Sequence, residues 1–285
     1  LQAVAAEARC PVDIYELYDR LGPKIPLLAA VRPNGETRIE ELEASGGARG
    51  VMKRLGALIH RDALTVSGRT WGEEIDAAPE PGAVIRPVDN PISTQPSVIV
   101  MRGNLAPEGS ILKVGDAGAK QSRFEGKALV FPSQEAALEA LKAGRLVPGT
   151  VAVLSGMGCR GGPGMALASG FVAAVDGAGL STTVAVITDG QLSGLNRGIA
   201  IGQVSPEAAL GGPIGLVRDG DAITIDMTAH RVTLAVGESE LATRRETGEA
   251  HRPADERGWL KIYEQVVQPI TKGAVLVGPA RDVAR

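Results

Sequence analysis

The sequence predicts an α/β protein in which the end of an α/β domain is followed by a β-barrel-like domain. Five prolines lie between residues 76 and 96, and this segment has no helical periodicity. Helical and strand-like patterns alternate before it, whereas short strands separated by glycine turns follow it. Many short strands with two or three helices between them are typical of a barrel or another closed β-rich domain.

Residues 1–75 are assigned to the end of an amino-terminal α/β domain. Asp13 is expected to cap a helix that reaches Leu21, because apolar residues recur on one face of that stretch. Residues 25–31 are a short apolar run, and a helical pattern interrupted by two glycines covers residues 39–58. Residues 63–67 are predicted to form a strand. The proline-rich residues 76–96 are the predicted linker.

Residues 97–285 are assigned to the β-barrel-like domain. Its predicted strands are 97–101, 111–114, 127–131, 151–154, 182–187 and 232–236. Helices are expected from Ser133 to Gly144, over residues 165–175 and, as a short turn, after Ser205.

The last third of the chain gives three further expectations. Residues 216–225 are predicted to be a hairpin whose turn is flanked by Asp219 and Asp221. The mixed charges at 238–249 indicate a solvent-facing helix. Four apolar residues at helical spacing are expected in the core: Trp259, Leu260, Ile262 and Tyr263.

Composition limits the classes of function. The 285 residues carry a net charge of −3 without a Lys- or Arg-rich run, which argues against a nucleic-acid surface. No apolar run is long enough to span a membrane. Cys10 and Cys159 are far apart and unpaired in motif, which indicates a reducing compartment and no self-contained metal site. Because the chain starts without methionine, we expect it to be part of a longer protein.

The segment from Val184 to Gly198 is the most informative. A β-branched run ends at an Asp-Gly turn, which places the hydroxyl of Ser193 in a loop beside Gly194. Such a loop can hold a reactive side chain at a sheet edge. It can equally be an ordinary exit from a strand, in which the serine only makes local hydrogen bonds.

A second glycine-rich loop covers Gly161, Gly162, Pro163 and Gly164 and precedes a predicted helix. Its backbone N–H groups could bind an anion, or the loop could be a tight turn without a ligand. It lacks the Lys-Ser/Thr of a nucleotide P-loop, and it also lacks the spacing of a dinucleotide fingerprint. The three histidines show no spacing that joins them in a metal site.

Nine segments in order resemble the dihydroxy-acid dehydratase and 6-phosphogluconate dehydratase family, specifically its carboxy-terminal part. The most specific is Ile187-Thr-Asp-Gly-Gln-Leu-Ser-Gly194. The other segments are 46–55, 63–68, 84–90, 101–107, 124–131, 161–165, 204–209 and 211–221. The resemblance covers nearly the whole chain and implies a swivelling β/β/α barrel domain after residue 97.

The resemblance implies a hydro-lyase that converts a 2,3-dihydroxy acid or sugar acid into a 2-keto-3-deoxy acid. It implies Ser193 as the base that takes the C2 proton, with substrate contacts from Gly161, Gly162 and Gly194. It also implies an iron–sulfur cluster and Mg²⁺, with cluster ligands outside this chain in the amino-terminal part of the same enzyme. The implied protein is a cytoplasmic homodimer acting on a small hydroxy acid, without nucleic-acid or membrane partners.

This sequence departs from the family where a metal ligand is implied. Leu167 occupies the position of a family glutamate, and Met157 stands where many members have another. Leucine cannot ligate a hard cation, which prefers oxygen. One alternative is therefore a non-catalytic binding or assembly module derived from a dehydratase. Another is a phosphate-binding protein that uses the 161–164 loop.

Overall fold

The computed structural model describes residues 1–32, 35–114, 121–163, 167–194, 197–247 and 257–276. The chain divides into two compact units. One unit consists of residues 1–19 together with 98–285, and the other consists of residues 20–97. In the described part of the chain, no helix combines the length and apolar character needed to cross a membrane.

Five helices precede the barrel in the described residues. They are α1 (Gln2–Glu7), α2 (Ile14–Leu21), α3 (Ile39–Ala44), α4 (Gly47–Leu55) and α5 (Trp71–Asp76). Asp13 caps α2 as predicted, because its Oδ1 accepts the backbone N–H groups of Tyr15 and Glu16 at 2.8 and 3.1 Å. The glycine pair separates α3 from α4, where Gly46 has a φ of +108° that other residues rarely adopt.

The strand predicted at 63–67 is wrong. Leu64 makes only an isolated bridge with Thr70, and the N–H of Thr65 donates to the Arg69 carbonyl at 2.8 Å. This short turn leads into α5, whose first residues are held by a capping box between Thr70 and Glu73. Because Ser67 and Gly68 form the turn, too few residues remain on either side of it to form a paired strand.

Eight strands form a closed barrel, which confirms the predicted class. They are β1 (Val98–Gly103), β2 (Ala106–Val114), β3 (Arg123–Phe131), β4 (Thr150–Leu154), β5 (Val184–Thr188), β6 (Ile199–Ser205), β7 (Ala222–Asp226) and β8 (Arg231–Leu234). Around the barrel the order is β1-β2-β6-β5-β4-β3-β7-β8. The remaining described helices are α6 (Gln134–Lys142), α7 (Ser169–Gly177), α8 (Glu238–Glu246) and α9 (Trp259–Val266).

Four neighbouring strands of the barrel are parallel. β3 pairs with β4, β4 with β5, and β5 with β6, all in the same direction. The carboxyl ends of parallel strands meet at one edge of a sheet, so the loops that follow these four strands converge there. Functional loops commonly lie on such a rigid edge.

Side-chain alternation along the parallel strands fills two cores. Val151 and Val153 of β4 belong to the cluster inside the barrel. Ala152 and Leu154 belong to an outer cluster that also contains Phe171 of α7. β4 and β5 are buried along their whole length, which is the pattern expected of parallel strands covered on both faces.

The hairpin predicted at 216–225 is wrong. Pro213–Leu216 is a 3₁₀ turn, and β7 pairs with β3 and β8. Asp221 therefore does not flank a hairpin turn. Its carboxylate instead binds the guanidinium of Arg244 on α8 at 2.6 and 3.1 Å.

The expectations about the last helices have different outcomes. The charged run on α8 does present a solvent-facing side, since Glu238, Glu240, Arg245 and Glu246 are exposed. Arg244 is the exception, because its side chain is only 8% exposed. On α9 the apolar residues are not core, since Trp259 and Ile262 are 67% and 52% exposed. Helical spacing shows that residues share a face, but it does not show what that face contacts.

The buried Arg244–Asp221 ion pair gives a stability prediction. We expect Arg244→Met to lower the free energy of unfolding by about 3–5 kcal/mol, because Asp221 would remain as a buried, unpaired charge. Burial tends to raise the pKa of Asp221, but hydrogen bonds from Arg244 and the Arg218 N–H hold it below its ordinary value. The pair therefore stabilises the fold above the unfolded-state pKa of about 3.9, and this contribution is lost as pH falls through the folded-state pKa.

Urea unfolding of the complete protein between pH 3 and pH 7 checks this prediction. The control is Arg245→Met, which removes the neighbouring guanidinium from an exposed ion pair with Glu238. An exposed pair is worth about 1 kcal/mol or less. Equal losses for the two variants would contradict the assignment.

Candidate active site

Ser193 lies in the loop that follows β5, at the edge where the parallel strands end. The loop begins with Asp189 and Gly190, both buried. The N–H of Gly190 donates to the Thr188 hydroxyl at 2.9 Å, and its carbonyl accepts the N–H of Gln203 at 2.9 Å. Ser193 itself is partly buried and Gly194 is exposed. The motif therefore presents its serine on a loop anchored to the ends of two strands.

The Asp189 carboxylate joins three of the loops at this edge. Its Oδ1 accepts the N–H of Met157 at 2.8 Å, and its Oδ2 accepts the N–H of Gly156 at 3.1 Å. Oδ2 also accepts the N–H of Ala208 at 2.9 Å. Asp189 is 2% exposed, so it has lost most of its water contacts and these amides replace them. The aspartate thus fixes the loops after β4, β5 and β6 to one another.

Glu207, which follows β6, makes a second connection. Its Oε1 accepts the N–H groups of Arg160 and Gly161, both at 2.8 Å. Gly158 lies so close to the Glu207 carboxylate that a side chain at this position would collide with it. The glycine-rich loop after β4 thus wraps around an internal carboxylate, in the way that such loops wrap around bound anions.

Burial changes the acidity of the groups at this edge. Burial raises the pKa of Glu207, hydrogen bonds from Gly161 and Arg160 act against the increase, and repulsion from Asp189 adds to it. Burial also raises the pKa of the Cys159 thiol to about 12, with further repulsion from Glu207 and Asp189. Cys159 is therefore a neutral thiol at physiological pH and not a reactive thiolate.

The two glycines predicted to bind substrate in the loop after β4 have engaged N–H groups. That of Gly161 donates to Glu207, and that of Gly162 donates to the Gly158 carbonyl at 2.8 Å. A substrate contact there would use a carbonyl or the bare Cα atom. Gly164, also part of the predicted loop, lies outside the described residues. The roles of Gly161 and Gly162 stay predictions.

The Ser193 loop is held from two sides. The N–H of Ser193 donates to the Oγ of Ser169, at the start of α7, at 2.8 Å. On the other side, the Nζ of Lys113 on β2 donates to the carbonyls of Leu192 and Ser193 at 2.9 and 2.8 Å. The loop crosses β6 at Gly202, where a Cβ atom would lie 2.8 Å from the Cγ of Leu192.

The two residues that flank this loop differ in what surrounds them. Among the residues that the structure describes, none lies within 4 Å of a Cβ atom added at Gly194, so their packing does not require glycine there and leaves its backbone open to a ligand. Leu167 pairs with Gln191 through an isolated bridge and is 40% exposed. Leu167 therefore lies beside the loop that carries Ser193, with an apolar side chain.

The described residues do not fit a Mg²⁺ site. They contain no group of three or more His, Cys, Asp or Glu side chains that could hold a metal. Leu167 and Met157, at the two positions where the resemblance implies glutamates, offer no oxygen ligand. They do not fit a cysteine-ligated cluster either, since of the two cysteines Cys10 is exposed and Cys159 is a buried neutral thiol.

Three structural side chains of this edge were missed in the sequence. The sequence pattern places Asp189 in a turn and Glu207 in the first turn of a helix. In the structure, both carboxylates accept backbone N–H groups of the loop after β4. Lys113 was not singled out. The feature that could have identified it is a single charged residue in the otherwise apolar segment Ile111-Leu-Lys-Val114.

Comparisons with known proteins point to one family. A family model described as dihydroxy-acid/6-phosphogluconate dehydratase, C-terminal, matches residues 83–274. The corresponding N-terminal model matches residues 1–74. Together they cover both sides of the proline-rich segment.

Curated relatives agree with the family models. A dihydroxy-acid dehydratase of Roseiflexus castenholzii is 41% identical over 98% of this chain, which matches 50% of that protein. Proteins of the same name from Ignicoccus hospitalis and Pyrococcus furiosus are 42% and 43% identical over 97% of the chain, again matching 50% of each. The chain thus spans about half the length of these relatives.

Glu207 provides a test of the loop architecture. We expect Glu207→Ala to destabilise the protein by about 1–3 kcal/mol for each buried amide left without an acceptor. Glu207→Gln should be much milder, because one amide oxygen can accept both N–H groups that Oε1 now accepts. Thermal and urea unfolding measure the difference, and equal stability of the two variants would contradict the assigned contacts.

The same pair of variants tests the raised pKa. Because the folded state holds the Glu207 proton more tightly than the unfolded chain, its stabilising effect is full below pH 4.5 and is lost as pH rises through the folded-state pKa. Wild type should therefore lose stability relative to Glu207→Gln over this interval. A stability difference that does not change with pH would refute the raised pKa.

Proposed function

Because this chain belongs to the dihydroxy-acid/6-phosphogluconate dehydratase family, we propose that the complete protein is a hydro-lyase. Its substrate is a 2,3-dihydroxy acid, either branched-chain or a sugar acid, and its product is the 2-keto-3-deoxy acid. The observation that carries the proposal is the Thr188-Asp-Gly motif and its serine, Ser193, on a loop fixed to the carboxyl edge of parallel strands.

We propose that Ser193 is the base of this reaction. Its alkoxide takes the proton from C2, the C2–C3 double bond forms, and the hydroxyl leaves C3. The resulting enol becomes the keto acid when its C2 hydroxyl loses a proton and C3 gains one. One proton taken up and one hydroxide released amount to one water, so no oxidant or reductant is consumed. Positioned bases of this kind contribute about 10²–10⁴-fold to rate.

The described residues support this chemistry because they hold the loop that carries Ser193 in place. Ser169 fixes the backbone of Ser193, and Asp189 fixes the start of the same loop. Gly194 leaves its backbone open to a ligand, which favours a substrate contact there. Gly161 and Gly162 would contribute their carbonyls or Cα atoms from the loop after β4.

The cofactors of the complete protein belong to the same proposal. The family resemblance implies an iron–sulfur cluster and Mg²⁺, which would act as Lewis acids on the substrate oxygens. The resemblance also implies that the cluster ligands lie in the amino-terminal part of the same enzyme, outside this chain. The cytoplasmic location and the homodimer are also proposals that rest on the resemblance.

One observation favours a second candidate, a non-catalytic binding or assembly module. The apolar Leu167 lies beside the Ser193 loop, where the resemblance implies a metal-ligating glutamate. If the complete protein, purified without oxygen, fails to dehydrate a panel of branched-chain dihydroxy acids and aldonic acids, this candidate replaces the hydro-lyase.

Substitution of the serine tests the proposed base. We expect Ser193→Ala to lower kcat by about 10²–10⁴-fold, because the C2 proton loses its acceptor. Stability should change by less than about 1 kcal/mol, since the backbone bond to Ser169 stays. Formation of the keto acid and urea unfolding of the complete protein measure both effects.

The matched control is Ser122→Ala, which removes an exposed hydroxyl before β3. This variant should keep full activity. Activity of Ser193→Ala equal to that of the control would remove Ser193 from the mechanism.

A further inference from the structure

Lys113 is an unusual side chain for its position. It lies on β2 opposite Ala200 of β6, and its two neighbours in the sequence, Leu112 and Val114, are apolar. The side chain is partly buried, and this burial lowers the pKa of its ammonium. Removing a charge from water is unfavourable unless polar partners replace the solvent. A lysine at this position therefore needs polar partners within the protein.

Its partners are two consecutive carbonyl groups of the Ser193 loop. The Nζ donates to the Leu192 and Ser193 carbonyls at 2.9 and 2.8 Å. In the described part of the chain, both hydrogen bonds of the Lys113 ammonium go to this loop. Lys113 thus directs its charge at the backbone of the residue that carries the proposed base.

The chain also makes room for this contact. The loop reaches Lys113 only by crossing β6, and Gly202 lies at the crossing with the Leu192 side chain against it. Ser169 holds the opposite side of the same peptide segment through the N–H of Ser193. The serine is therefore held at its N–H by a hydroxyl and at its carbonyl by an ammonium.

We propose that Lys113 is a positioning residue for Ser193. It fixes the backbone of the loop and places a positive charge 2.8 Å from the carbonyl oxygen of the serine. An unperturbed serine hydroxyl is a poor base, and a nearby cation favours its alkoxide. The inference rests on the proposed role of Ser193, and it identifies a cation that this chain supplies by itself.

The test compares three variants of the complete protein. Lys113→Met keeps an unbranched side chain that is one atom shorter and removes the charge, whereas Lys113→Arg keeps both charge and donors. The control is Lys127→Met, which removes an exposed lysine from the neighbouring region of the barrel, on β3. The measurements are kcat and KM for a 2,3-dihydroxy acid, hydrogen exchange of the amides at 190–194 and the unfolding midpoint.

We expect Lys113→Met to lower kcat by about 10–100-fold with KM changed less than about threefold, because a misplaced base slows the chemical step more than binding. Exchange of the Ser193 amide should accelerate at least about tenfold, since the loop opens more often. Lys113→Arg should recover part of both effects. Lys127→Met should resemble wild type.

Two results would overturn the proposal. One is unchanged kcat and unchanged amide exchange in Lys113→Met. The other is a loss of activity in Lys113→Met that matches a fall in the unfolding midpoint and is not recovered by arginine, as expected of a purely structural lysine.

Failure of the proposed function gives a different result. If Ser193→Ala stays active, Ser193 is not the base, whatever Lys113 does. The exchange measurement needs no turnover, so it reports on the Lys113 contact in either case. Unchanged exchange with a strongly impaired Ser193→Ala would reject Lys113 alone.

Discussion

The carboxylate of Asp189 is the interaction on which the arrangement of this edge depends. A buried carboxylate must replace the water it loses, and Asp189 does so with amides from the loops after β4 and β6. Its own loop carries Ser193 four residues later. The strand ends therefore cannot move independently, and a serine on a glycine-rich loop is held as firmly as a residue on a regular element.

Glu207 extends the same principle to the glycine-rich loop after β4. Loops of this composition present several N–H groups in one direction, so they bind anions well. Here the anion is a side chain of the protein itself, and Gly158 permits the close approach. This explains why composition pointed to an anion site while the N–H of Gly161 is already bound. A sequence shows a loop's capacity to bind an anion, but it does not show which carboxylate fills it.

The parts of the fold that depend on local patterns were predictable. The Asp13 cap and the glycine pair follow from neighbouring residues, and the structure agrees with them. Most barrel strands were also predicted, but β6 was not, and the strand expected at 63–67 is a short local turn. Other failures depend on distant partners. The Arg244–Asp221 pair joins residues 23 positions apart, and only the folded chain shows that Arg244 of α8 also binds the Leu216 carbonyl. In the same way, no local pattern joins Lys113 to a loop that lies 80 residues later.

The leucine at position 167 and the loop that carries Ser193 concern two separate features of the site. Where the resemblance implies a carboxylate, leucine removes an oxygen ligand, whereas the bridge between Leu167 and Gln191 is made by the backbone and does not depend on the side chain. The bonds that position Ser193 come from Lys113, Ser169 and Asp189, and none of them involves the changed position. The hydrogen bonds that orient the serine are therefore independent of any metal contact made at position 167. A chain can therefore lose one of these features and still keep the other.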